Sequence, residues 1–149
     1  MEKLQSNEIR HPSVRRRRTR RRGAAAVEFA VVAPILFLLT LATIEFGRAM
    51  LVQQLMTNAS RAGAREASLP NSTEDEVIAA TREYAETAGI DPLDVTVVVD
   101  PSPATVETGD SITVTASVSY DDVTWLPSAW FLGGVQLNAS SVMRKEGFD

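Results

Sequence analysis

The sequence has 149 residues, a formal net charge of −4 and no cysteine, so thiol chemistry, disulfides and cysteine-linked lipid anchors are excluded. Its one histidine, His11, lies in a basic N-terminal tail, which removes histidine-based catalysis and most zinc sites from the rest of the chain. No acidic loop has the spacing of a calcium site. We therefore expect no enzymatic activity, no metal, no cofactor and no small-molecule substrate.

Residues 1–23 are a basic segment without apolar periodicity, and we expect a disordered leader. The residues before Gly23 carry a net charge of +7, whereas the remainder carries −11. Arginine clusters that precede an apolar span stay in the cytoplasm, so the C-terminal part is expected outside. A nucleic-acid-binding tail is the other interpretation of the arginine run. The position of that run against the span favours the membrane, and we expect no nucleic-acid partner.

Residues 24–44 are apolar except for one charge, Glu28, and would form a helix of about 31 Å, close to the hydrocarbon thickness of a bilayer. A buried core helix is the alternative, but such helices rarely run 21 residues without a polar face. The domains expected are the leader 1–23, a transmembrane segment 24–44 and an outer domain 45–149. The span makes the membrane a partner.

Three export signals can be compared with this N-terminus. A secretory signal has a shorter apolar core and a small-x-small site soon after it, but the nearest such site, residues 62–64, lies far downstream. A twin-arginine signal lacks its hydrophobic pair, because Gly23 and Ala24 follow the arginines. A prepilin-type leader requires basic residues, a glycine, and an apolar helix with Glu at its fifth position, and Glu28 meets that requirement.

The stretch RRGAAAVEFAVVAPILFLL, followed by IEFGRAM, resembles the TadE-like family of the tight-adherence (Tad) pilus machinery. The residues that carry the resemblance are Gly23, Ala24, Glu28, Phe29, Pro34, Glu45, Phe46, Gly47 and Arg48. The resemblance implies a minor pilin or pseudopilin of the inner membrane, with its N-terminus in the cytoplasm and its C-terminal domain periplasmic or extracellular. Its partners would be a prepilin peptidase, other pilin subunits and the pilus assembly machinery, and its role would be pilus biogenesis and surface adhesion.

The same resemblance implies individual roles. Cleavage would occur between Gly23 and Ala24, and Glu28 with Phe29 would form the assembly and processing motif. Glu28 would neutralise the new amine of a neighbouring subunit, although a Glu snorkelling from a helix end is the simpler alternative.

Two further features of the N-terminal half follow from the resemblance and from backbone chemistry. The four residues Glu45, Phe46, Gly47 and Arg48 would form a membrane-exit motif. Pro34 removes a backbone hydrogen bond inside the span, so we expect a kink in the helix. The kink either has a role in helix packing or is a bend without a role.

Beyond the span the helical period continues to about residue 67 but becomes amphipathic. The predicted stripe consists of Leu51, Leu55, Ala59 and Ala62 or Gly63. Its small residues permit close backbone approach, so this half should lie on a sheet. A second helix is predicted at about residues 74–88, with Thr73 as N-cap, Glu76 completing a capping box and Gly89 ending the helix.

After Pro92 the apolar period changes from 3.6 to 2, which predicts three antiparallel strands around residues 95–99, 111–120 and 135–142. The fold class is therefore α+β and pilin-like: a long N-terminal helix, a second helix and a small antiparallel sheet. Residues 125–132 form an apolar loop, interpreted as a plug under the sheet, with a partner surface or the membrane interface as the other interpretations.

A different function class stays open. Asn58, Asn71 and Asn138 each begin an Asn-x-Ser/Thr sequon. A single-span, unprocessed and possibly glycosylated binding module, which presents its sheet domain outside, is the alternative to a pilus subunit.

Overall fold

Within residues 16–126 and 130–147, which the computed structural model describes, the chain forms three helices and three strands. The side chains described begin at Gly23. The elements are α1 (Arg16–Ser68), α2 (Glu74–Thr87), β1 (Thr96–Asp100), β2 (Ser111–Ser119), α3 (Tyr120–Val123) and β3 (Gln136–Arg144). This order confirms the predicted α+β class. By internal contacts the chain divides into two units, Met1–Thr40 and Leu41–Asp149.

The first unit contains the apolar part of α1, whose side chains from Gly23 to Thr40 are almost all exposed. Among the described helices, α1 alone is long and apolar enough to cross a membrane, and none of its apolar window is buried within the protein. The helix begins at Arg16, so the predicted disorder of the leader is wrong for residues 16–22, because arginine is a good helix former. The remainder of the leader, with His11, lies outside the described residues.

In the second unit α1 buries one stripe of its surface and exposes the opposite side. The buried positions recur every three or four residues, as one helix face requires: Glu45, Ala49, Val52, Met56, Ala59, Ser60, Gly63, Ala64, Ala67 and Ser68. The predicted stripe is right at Ala59 and Gly63 and wrong at Leu51, which is exposed. Val52 takes the buried place beside it, because the helix turns its small residues to the sheet.

The sheet consists of three antiparallel strands with β2 in the centre, as predicted. Alternate residues of β2 are buried against α1 and α2, namely Ile112, Val114, Ala116 and Val118. Strand β3 is fixed to α1 by polar contacts, since Gln53 Nε2 donates to the Asn138 carbonyl at 2.6 Å and the Ser60 and Ser141 hydroxyls lie 2.8 Å apart. The outer half of α1 therefore lies on the sheet, as expected.

One glycine sets how closely α1 and α2 approach. A Cβ at Gly63 would collide with the Thr81 hydroxyl of α2 and stand 3.1 Å from Val114 Cγ1 of β2. Only glycine leaves room for a helix and a strand to meet α1 at the same point. The approach explains why Thr81, a polar residue that donates to the Val77 carbonyl at 2.8 Å, is fully buried there.

Helix α2 begins and ends where its sequence signals predict. The Thr73 side chain accepts from the Glu76 backbone N–H, and the Glu76 carboxylate accepts from the Thr73 backbone N–H at 2.9 Å and from its hydroxyl at 3.0 Å. These hydrogen bonds lower the pKa of Glu76 below its ordinary value. Gly89, in the left-handed region at φ 80°, follows the last turn.

The C-terminal end of α1 is closed by a lysine from the other end of the chain. The Lys145 ammonium is buried and donates to the carbonyls of Ala67 and Leu69, at 3.3 and 2.7 Å, and to the Ser72 hydroxyl at 2.9 Å. The Glu146 backbone N–H donates to the Ser68 carbonyl at 2.8 Å. A cation at a helix C-terminus satisfies free carbonyls and complements the helix dipole.

Lys145→Met should lower the free energy of unfolding by about 2 kcal/mol, because three acceptors, two of them buried, would lose a charged donor. Thermal and urea unfolding of the full chain in detergent, followed by circular dichroism, measures the change. Arg144→Met is the matched control, since Arg144 is exposed and its loss should stay within about 0.5 kcal/mol. Equal losses for the two variants would contradict the capping role.

Candidate functional site

The predicted processing and assembly residues lie together on the uncovered part of α1. Gly23, Ala24, Glu28 and Phe29 are all exposed, and a Cβ at Gly23 would meet no atom within 4 Å. Among the described side chains, none binds the Glu28 carboxylate. Pro34 lies inside α1 and is exposed as well. Its predicted kink and packing role stay predictions.

The exit motif divides into two buried or half-buried residues and two exposed ones. Glu45 is only 1% exposed, and its carboxylate accepts from the backbone N–H groups of Trp130 and Phe131, each at 3.0 Å. Phe46 and Gly47 are exposed. Burying a carboxylate costs free energy unless it is hydrogen-bonded. Here each carboxylate oxygen of Glu45 accepts one backbone hydrogen bond. Glu45 therefore fastens the 130–131 backbone directly to the helix.

Arg48, one turn further along, fastens a second part of the same loop. Its Nε donates to the Val123 carbonyl at 2.9 Å, and its guanidinium carbon lies 4.7 Å from the centre of the Trp125 ring. Stacking on an indole holds the cation while the ring keeps an exposed side. Together with Glu45, Arg48 ties residues 123–131 to α1 at both ends of the loop.

Two residues that sequence reasoning did not select complete this cluster. The Tyr120 hydroxyl donates to the Glu45 carbonyl at 2.9 Å, and the Asp121 carboxylate accepts from the Gly134 N–H at 2.9 Å. Tyr120 was predicted to end a strand, but it opens the short helix α3, with Ser119 as N-cap. The alternation of apolar residues continues through Tyr120, so periodicity alone could not reveal the turn. Its hydroxyl partner lies 75 residues away in sequence.

The prediction that residues 125–132 plug the underside of the sheet is wrong for their aromatic rings. Trp125, Trp130 and Phe131 are exposed, whereas Leu132 is half-buried against the core. Residues 127–129 of this loop lie outside the described residues. The backbone bonds to Glu45 turn the two aromatic side chains outward, so the loop presents them instead of burying them.

A cleft beside Arg48 is lined by three carboxylates, Asp91, Asp94 and Asp122. Desolvation raises the pKa of Asp94 above its ordinary value, and repulsion from Asp122 and Asp91 raises it further. Thr124 also lines the cleft, and its hydroxyl oxygen accepts from the Leu126 backbone N–H at 3.2 Å. The arrangement around Glu45 and Arg48 thus positions a loop, which is the property of an anchoring or docking site.

Comparison with known families agrees with the expectation from the N-terminal motif. Residues 23–65 match the sequence model of TadE-like protein, a family of pilus structural and assembly proteins. The match lies entirely within α1 and includes every predicted site residue. No curated protein and no solved structure matches the chain. The similarity to TadE-like protein is therefore confined to the first helix, which is also the candidate membrane anchor.

Glu45→Leu should lower the free energy of unfolding by about 3 kcal/mol, because the backbone N–H groups of Trp130 and Phe131 would lose a charged acceptor. Amide hydrogen exchange at Trp130 and Phe131 should accelerate in the full chain in detergent. Glu66→Leu is the matched control on the same helix, since its carboxylate accepts no hydrogen bond from the described residues. Unchanged exchange at residues 130 and 131 would contradict the anchoring role of Glu45.

Proposed function

We propose that this protein is a minor pilin or pseudopilin of a Tad-type pilus, anchored in the inner membrane by the apolar part of α1. The observation that carries the proposal is the exposure of nearly all of that part, within a segment that matches TadE-like protein. It includes one carboxylate, Glu28, that none of the described side chains binds. Exposed apolar surface of this extent needs lipid or other helices to cover it. The membrane would supply the lipid, and lateral assembly would supply the neighbouring helices.

The position of Glu28 supports an electrostatic role in that assembly. An acidic residue in the hydrocarbon region costs about 2.5 kcal/mol or more, so it normally has a partner. Cleavage after Gly23 would create an α-amino cation at Ala24, and four residues of helix rise only about 6 Å. The carboxylate and a neighbouring subunit's amine would then lie at nearly the same depth.

Orientation follows from charge. The arginines before Gly23 would remain in the cytoplasm with the prepilin peptidase, and the second unit, with its sheet, would be periplasmic or extracellular. Other pilin subunits and the assembly machinery are the partners in this proposal, and pilus biogenesis and surface adhesion are the outcomes. The alternative, an unprocessed membrane-anchored binding module, shares the topology but lacks the cleavage.

Gly23→Leu should leave the precursor uncut, because a bulky side chain cannot enter a peptidase site shaped for glycine. N-terminal sequencing of the native protein should read from Ala24 in the wild type and from the leader in the variant. Gly47→Leu is the control, since this second exposed glycine of α1 also has open space around it and lies far from the cleavage site. A wild-type protein that retains residues 1–22 would favour the binding module.

Glu28→Ala should give a processed, membrane-resident subunit that fails to assemble. Removing one partner of a buried ion pair typically costs about 3–5 kcal/mol, enough to abolish a weak lateral contact. Cross-linking between subunits and counts of pili measure the loss. Glu28→Asp should recover part of the assembly because it restores the charge. Wild-type cross-linking and piliation in Glu28→Ala cells would instead identify Glu28 as a snorkelling end residue.

A further inference from the structure

Four aromatic rings are exposed around the point where α1 leaves its apolar segment. Phe46 is 63% exposed, Trp125 69%, Trp130 63% and Phe131 50%. We call these four residues the exit collar. They contrast with the outer face of the sheet, which is mainly polar, with Ser and Thr along β2. A soluble surface gains nothing from exposing two indoles and two phenyl rings close together.

The collar is held in place by the contacts of Glu45 and Arg48. Trp130 and Phe131 are attached through their backbone N–H groups to Glu45, the residue that follows the apolar segment in the chain. Trp125 stacks against the Arg48 guanidinium. Phe46 is the next residue of the helix after Glu45. All four rings are therefore held at the first turn of α1 after the apolar segment. Phe46 is part of that turn, and the other three come from the loop after α3.

We propose that the exit collar lies in the interfacial zone of the bilayer, between the headgroups and the acyl chains, and fixes the depth of the span. The inference rests on the proposed membrane anchor. Its occupant is lipid because the collar adjoins the end of the apolar segment, where headgroups begin. Tryptophan favours this zone, since its ring is apolar and its N–H reaches water. The Arg48 cation beside Trp125 suits phosphate headgroups.

The chain offers a direct measurement, because Trp125 and Trp130 are its two tryptophans. The full chain is reconstituted in phosphatidylcholine vesicles that contain lipid brominated either near the glycerol end or near the end of the acyl chain. We expect emission to be quenched about twofold more strongly by bromine near the glycerol end, as interfacial indoles require. Acrylamide in the water should quench the emission only weakly.

A control moves the indole to the sheet. Trp125→Phe and Trp130→Phe combined with Val142→Trp place one tryptophan at an exposed position of β3, six residues and about 20 Å along the strand from Gln136. Its emission should be insensitive to bromine and fully open to acrylamide. Equal bromine quenching in this variant and in the wild type would overturn the assignment, because the whole domain would then touch lipid.

Other results separate the failure of the collar from the failure of the anchor. Protein that floats with the vesicles but shows no bromine quenching would overturn the collar and leave the anchor intact. Acrylamide protection that disappears as the protein is diluted in lipid would assign the collar to a second copy of the chain instead. Protein that does not float at all would overturn both proposals.

Discussion

The fit of small residues of α1 against β2 is the contact on which the rest of the second unit depends. Gly63 lets Thr81 of α2 and Val114 of β2 meet the helix at one point, and the buried alanines on either side extend that close approach. Helix α2 also contacts β1 directly, and its Arg82 Nε donates to the Val95 carbonyl just before that strand at 3.2 Å. Helix α2 and strand β2 are therefore both positioned against the outer half of α1.

The surroundings of α1 within the protein change at Glu45. From Gly23 to Ile44 the side chains are mostly apolar and mostly exposed, whereas after Glu45 one face of the helix is buried under the domain. Glu45 and Arg48 mark the change with side chains that bind the backbone or ring of a distant loop. The exit motif therefore also holds the distant loop to α1. Every buried side-chain nitrogen and oxygen of the described residues has a hydrogen-bond partner.

Sequence signals that act within a few residues predicted the fold well. The Thr73–Glu76 capping box, Gly89 and the alternation in β2 all report local backbone geometry, which the sequence carries directly. The choice between Leu51 and Val52 for the buried face could not be made, because both are apolar and the sheet beneath decides. The partners of Glu45 could not be predicted either, since backbone N–H groups leave no side-chain pattern. Hydrophobicity alone also failed to say whether Trp125 and Trp130 faced inward or outward.

Lys145 has a consequence for the order in which the domain can form. The carbonyl groups at the C-terminal end of α1 lack their charged donor until Lys145 is available. Strand β2 likewise lacks its neighbour until β3 is available. The strands pair in sequence order, whereas the Lys145 hydrogen bonds join α1 to a residue more than 70 positions away. Contacts of such high sequence separation slow folding relative to a helical bundle. In the proposed topology a chain still passing through the membrane would remain open behind its anchor. In that topology the domain would be completed only after β3 and Lys145 had crossed the membrane.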